Sequence, residues 1–127
     1  MATNEIFRHG DFVSLPVPDG TKSGDPVRVG GLNAVAQTDK AVVHTPDEIQ
    51  GYPYDGGNPI GNASCALDGA WEFQVDFAVE NVGDPVYIVT ASNDLVDTDN
   101  SGANPLYGHA LTTKSATTGP LTVRLAN

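Results

Sequence analysis

One phrase occurs twice in this chain and constrains its fold more than anything else in it. Gly24-Asp25-Pro26-Val27 opens one strand-like run, and Gly83-Asp84-Pro85-Val86 opens another. Gly10-Asp11-Phe12-Val13 is a looser third copy. Glycine admits backbone angles closed to other residues, the Asp side chain caps a turn, and proline fixes φ while withholding a hydrogen-bond donor. A β-branched valine follows. Each copy reads as a turn handing over to an extended segment, so the chain is expected to consist of short strands and tight turns.

The hydrophobic pattern agrees. Residues 12–17 alternate, with Phe12, Ser14 and Pro16 on one side and Val13, Leu15 and Val17 on the other; Pro16 and Pro18 demote the end of this run to an edge or a turn. Residues 27–29 form a short strand, Gly30-Gly31 interrupts it, and 32–36 resume it. A double glycine there suggests a bulge or a sharp bend at a barrel corner. Residues 70–79 give the clearest strand: Trp71, Phe73, Val75 and Phe77 share one face, while Glu72, Gln74 and Asp76 share the other. Runs at 86–89, 106–111 and 121–125 complete the set. No stretch of ten or more residues has helical period. The expected class is all-β, a small antiparallel barrel or sandwich.

At 127 residues the chain is expected to form one domain, with a core that needs neither disulfide nor metal. Residues 1–10 read as an N-terminal arm, and 11–127 as a single β domain with an inserted loop at 45–64. Thr45-Pro46-Asp47-Glu48 could start a very short helix. Gly51-Tyr52-Pro53-Tyr54-Asp55-Gly56-Gly57-Asn58-Pro59 cannot be regular structure and reads as a surface loop, the kind of segment that carries contacts. Ile6 and Phe7, set among polar neighbours beside Arg8 and His9, suggest an arm that docks. Ile6, Phe7, Arg8, Tyr52 and Tyr54 are therefore the candidate partner contacts.

Charge narrows the partners. A net charge of −10, from 16 acids against 6 Lys and Arg, repels phosphate backbones and argues against nucleic acid. No apolar run of 18 residues is present to span a membrane. The first residues lack the basic start and apolar stretch of a signal peptide, so synthesis in a cytoplasm is expected, and the sequon at Asn62 carries little weight.

Chemistry finds little to hold. The lone Cys65 reads as a buried, inert thiol. His9, His44 and His109 stand at no metal-ligand spacing, and neither a nucleophile elbow nor a phosphate-binding loop occurs. Asp97-Thr98-Asp99-Asn100-Ser101-Gly102 matches the first half of a calcium loop. However, Gly108 occupies the position of the bidentate Glu, and the same residues suit a solvated hairpin loop. Glu72 and Asp76 share a strand face as a two-acid glycosidase site would require, without the exposed aromatics of a sugar site. No enzyme and no cofactor are expected. A stand-alone module binding a glycan or host surface is the alternative to a structural role.

In order, Gly10-Asp11-Phe12-Val13, the run from Ser23 through Val27 to Ala36, Gly69-Ala70-Trp71-Glu72-Phe73, Val82-Gly83-Asp84-Pro85-Val86-Tyr87, Tyr107-Gly108-His109-Ala110 and Leu121-Thr122-Val123-Arg124-Leu125 resemble a family of tailed-phage capsid cement, or head decoration, proteins. The stretch 45–64 departs from it, being longer and richer in Gly, Pro and Tyr. Some members are labelled as recombinases, which this chain's charge and lack of a phosphate loop do not support. The resemblance implies a catalytically silent virion protein on the outer surface of an icosahedral head. It would bind the major capsid protein where subunits meet and act as a homo-oligomer, with a trimer favoured over a dimer.

Overall fold

A computed structural model describes residues 12–42 and 58–127. These residues form nine strands: β1 (Phe12–Pro16), β2 (Pro26–Val29), β3 (Leu32–Ala36), β4 (Asn62–Ala66), β5 (Ala70–Val75), β6 (Pro85–Ile88), β7 (Leu95–Val96), β8 (Leu106–Ala110) and β9 (Gly119–Leu125). One antiparallel sheet has the order β1-β4-β3-β2, and a second has the order β5-β9-β8-β6-β7. The expected all-β class is what the chain adopts. The described residues contain no helix; the short helix start at 45–48 lies outside them.

The repeated phrase builds the same device in both sheets. In each copy the glycine is the third residue of a turn, at φ +91° for Gly24 and +96° for Gly83, where only glycine is unstrained. Each Asp N–H returns to the first turn residue: Asp25 to Lys22 O at 3.0 Å and Asp84 to Asn81 O at 3.2 Å. The carboxylates of Asp25 and Asp84 accept the N–H groups of Lys22 and Asn81. The Gly N–H and the Asp C=O then clamp one residue of the neighbouring strand. Gly24 donates to Ala36 O at 2.7 Å and Ala36 donates back to Asp25 O at 2.9 Å; Gly83 and Asp84 hold Ala110 at the same distances. Two residues facing one, with the first a left-handed glycine, is a bulge that sharpens strand twist. The correspondence extends further. Lys40 and Lys114, each four positions beyond the clamped alanine, donate their N–H groups to the chain entering the turn, at Thr21 O and Val79 O. The third copy lies outside the described residues at Gly10 and Asp11.

Gly30-Gly31 corrects the sequence reading. It is neither a bulge nor a barrel corner but the two-residue loop of a hairpin, with Val29 facing Leu32 across it. Gly30 alone of the pair has positive φ, +59°, which suits a loop whose first central residue is left-handed. The strand expected over 70–79 stops at Val75, although Phe77 and Val79 remain buried and Val79 bridges to Lys114. The loop expected over 45–64 overlaps β4 at its end, since 62–64 are strand.

The larger core lies on the second sheet and includes Phe73, Val75, Val86, Ile88, Tyr107, Leu121 and Val123, with Val35 of β3 reaching into it and Trp71 half-buried at its margin. A smaller core of Val17, Val27, Ala34, Ala63 and Cys65 fills the curl of the first sheet. Polar joints connect the sheets. Asn33, 2% exposed, donates from Nδ2 to Leu106 O at 2.9 Å and Ala126 O at 2.7 Å, while its Oδ1 accepts from Arg28. The Asn127 amide completes the seam, donating to Asn33 O and Leu67 O. Replacing Asn33 by Ala removes both Nδ2 bonds and leaves Ala126 O without that donor, at ~1–3 kcal/mol, while Leu106 O keeps only the longer bond from Arg28. Urea unfolding of Asn33→Ala is expected to show a loss of about 3 kcal/mol with an unchanged slope.

Candidate partner-binding surface

Surfaces that bind other proteins are recognised by what they lack as much as by what they hold, and in an acidic chain the informative lack is charge. Residues 12–18 and 58–67 contain none of the chain's 16 acids and none of its 6 Lys and Arg. These stretches are β1 with its exit and β4 with its entry. They pair in antiparallel register from Phe12 opposite Ala66 to Pro16 opposite Asn62. One face of the pair carries Phe12, Ser14 and Pro16 beside Asn62 and Ser64, small polar groups between apolar ends. Asn62 Nδ2 donates to Ser14 Oγ at 3.2 Å, and Ser64 bonds to Asn58 and Thr38. Phe12 is 60% exposed and Ile60 63% exposed. On the other face Val13 and Leu15 are only half-buried.

The five candidate contacts Ile6, Phe7, Arg8, Tyr52 and Tyr54 all lie outside the described residues, but their roots do not. The arm joins at Phe12. The long loop leaves after Val42 and returns at Asn58, its base closed by Gly61 N–H to Ala41 O and Ala41 N–H to Asn62 O, both 2.8 Å. Val17 donates to Gly61 O, so the loop's base sits at one end of β1 and the arm's root at the other, about 17 Å apart for a five-residue strand. The sequence reading named the two segments. It missed the uncharged surface between their roots, because that surface forms only when β1 and β4 pair.

The chemical candidates are scattered. Cys65 is fully buried, and burial pushes its thiol from an ordinary 9.0 up to about 11, away from nucleophilic use. His109 is exposed on β8, opposite Arg124 of β9; His9 and His44 are outside the described residues. Glu72 and Asp76 are both exposed. The 97–102 loop closes on itself, with Asn104 N–H to Asp99 O at 2.9 Å, Asn104 Nδ2 to Thr98 O at 3.0 Å, and left-handed Asn100, Ser101 and Gly102. Among the described residues no three His, Cys, Asp or Glu converge as metal ligands.

Two open clefts stand out among the described residues. The larger, about 520 Å³, lies among β2, β5 and the turn before β7. Three of its acids serve local structure: Asp19 pairs with Lys40, Asp25 caps its turn, and Asp94 accepts from Ser92. The smaller, about 490 Å³, runs past Leu67, His109, Leu111 and Arg124.

No curated protein and no solved structure gives a significant match to the chain. A scan of protein families matches residues 7–126 to the phage cement protein family. That span takes in both copies of the Gly-Asp-Pro-Val device and both sheets, and on it the chain belongs to the phage cement protein family.

Proposed function

We propose that this chain coats the outer surface of an icosahedral phage head, binding where major capsid proteins meet and bracing the shell. Membership of the cement family supports a capsid role. The observation that carries the finer reading is the uncharged β1–β4 face in a chain of net charge −10. A protein that only needed to stay soluble would gain from charge there, whereas desolvating charge at an interface is costly. The segments holding Ile6, Phe7 and Arg8, and Tyr52 and Tyr54, join the described chain at the two ends of this face. Aromatic and Arg side chains are the residues that dominate interface energetics. Many identical copies on one particle multiply modest contacts, so no single deep pocket is required, and the protein works as a homo-oligomer.

The test is cosedimentation of purified protein with undecorated, expanded heads. Wild-type protein is expected to pellet with the heads and to raise their resistance to heat. The doubly substituted Ile6→Ser/Phe7→Ser and Tyr52→Ala/Tyr54→Ala proteins are expected to bind about 10- to 100-fold more weakly, the loss of one or two interface anchors, with unchanged melting temperatures. Wild-type protein that ignores heads but binds a glycan array would establish the alternative, a glycan or host-surface module.

A further inference from the structure

Among the described residues four strands have a bare edge: β1 and β2 in one sheet, β5 and β7 in the other. Proteins guard such edges with charge, proline or brevity. β2 carries Arg28 and begins at Pro26, β5 carries Glu72, and β7 is two residues long between Asp94 and Asp97. β1 is different. It is five residues of Phe-Val-Ser-Leu-Pro with no charge, partly exposed on both faces. We propose that this edge is an interface between two copies of the chain, β1 pairing antiparallel with β1 of a second copy about a twofold axis at Ser14.

The backbone specifies the register. Val17 N–H donates to Gly61 O, so by the two-residue period Val13 and Leu15 also point their amides at β4. Phe12, Ser14 and Pro16 present theirs to the bare edge. Centred on Ser14, the two strands place Ser14 opposite Ser14, Phe12 opposite Pro16, and Val13 opposite Leu15. The two Ser14 residues exchange both hydrogen bonds, and each Phe12 N–H meets a Pro16 carbonyl. Proline lacks a donor only at the ladder's two ends, where it also stops the pairing from sliding onward. One face then joins an aromatic ring to a proline, the other joins half-buried Val13 to half-buried Leu15, and no like charges meet. In a chain of net charge −10 that last property makes β1 suited to a second copy.

Five-residue strands bury well under the ~1,200 Å² of a stable complex, so the contact is weak in dilute solution and calls for trapping. Ser14 is exposed, and antiparallel hydrogen-bonded partners stand ~5.5 Å apart at Cα, within disulfide range. Cys65 is buried and does not compete. Purified Ser14→Cys protein under mild oxidant is expected to form a covalent dimer at least ten times faster than Ser115→Cys, which places its thiol on an exposed loop. Adding Phe12→Pro, which removes the outer donor, is expected to slow trapping about tenfold, with circular dichroism confirming the fold. Equal rates for Ser14→Cys and Ser115→Cys overturn the proposal. So does trapping that vanishes when residues 2–9 are deleted, which would make the arm the occupant. Neither readout uses heads, so failure here leaves the shell-binding reading to its own test.

Discussion

Gly108→Ala protein should fail to reach the native state in useful yield, or should unfold in urea with roughly 3–5 kcal/mol of its stability gone. The added methyl group would lie 2.2 Å from Arg124 O, 2.8 Å from Val123 Cγ1 and 3.0 Å from Arg124 C. Two of these atoms are backbone of the adjacent strand, so no side-chain rotation relieves the clash. Relief means pushing β9 away from β8, which strains the pairs Gly108–Leu125, His109–Arg124 and Ala110–Val123 and pulls β5, on the far side of β9, along with it. Total stability for a domain of this size is ~5–15 kcal/mol, so the loss takes a large share of it. Gly31→Ala is the matching control. Its methyl group meets nothing within 4 Å and its φ is not left-handed, so its stability should change by less than about 1 kcal/mol. A Gly108→Ala chain as stable as the Gly31→Ala chain would mean that β8 and β9 are not packed at this distance.

Gly108 shows what the sequence could not disclose. In the run Leu106-Tyr107-Gly108-His109-Ala110 it read as one more weak residue in a strand. Its importance comes from a register shift: Val86 faces Gly108 while Tyr87 faces Leu106, which leaves Tyr107 as an extra residue on β8. Consecutive residues Tyr107 and Gly108 are both buried, which one-sided alternation does not anticipate. A bulge depends on the partner strand, and partner strands are not local information. β4 was obscure for the same reason. Asn62-Ala63-Ser64-Cys65-Ala66 has little intrinsic β preference and becomes a strand because β1 and β3 flank it.

The legible features were those that act on their own chain. Gly-Asp-Pro-Val announced its turns because positive φ, a capping carboxylate and a missing donor are properties of the residues themselves. The alternation of Trp71, Phe73, Val75 and Phe77 identified the buried face of β5 correctly, with Trp71 only half-buried and its indole N–H donating to Asp68 O at 3.0 Å. The partner contacts expected at Ile6, Phe7, Tyr52 and Tyr54 lie outside the described residues. The missing charge on 12–18 and 58–67 was visible, but two stretches so far apart become one surface only through strand pairing.

Tyr107 also ties one sheet to the other, and its substitutions should separate ring from hydroxyl. The side chain is fully buried, its ring meets Phe73 edge-on at 5.8 Å, and its hydroxyl donates to Ala34 O at 2.6 Å across the seam. Tyr107→Phe keeps the ring and removes the buried hydroxyl's bond to Ala34 O, a loss of about 1–2 kcal/mol. Tyr107→Ala removes the ring as well, a loss of about 4–5 kcal/mol, and should leave a chain that melts far below the wild type. Alkaline pH gives an independent signature. Burial raises the phenol far above its ordinary 10.0, so the folded state holds a proton that the unfolded state gives up. The sign follows: Tyr107 contributes full stability below about pH 10, and above it stability declines by up to ~1.4 kcal/mol per pH unit. Cys65, raised from 9.0 to about 11, adds a decline of the same sign that begins near pH 9 and levels off near 11. Wild-type stability should therefore fall from pH 9 upward. Tyr107→Phe should keep the earlier, Cys65-dependent decline and lose the later one, measured by urea unfolding at successive pH values. A Tyr107→Phe profile parallel to wild type through pH 11 would mean that the hydroxyl is not sealed in the seam and that Ala34 O does not depend on it.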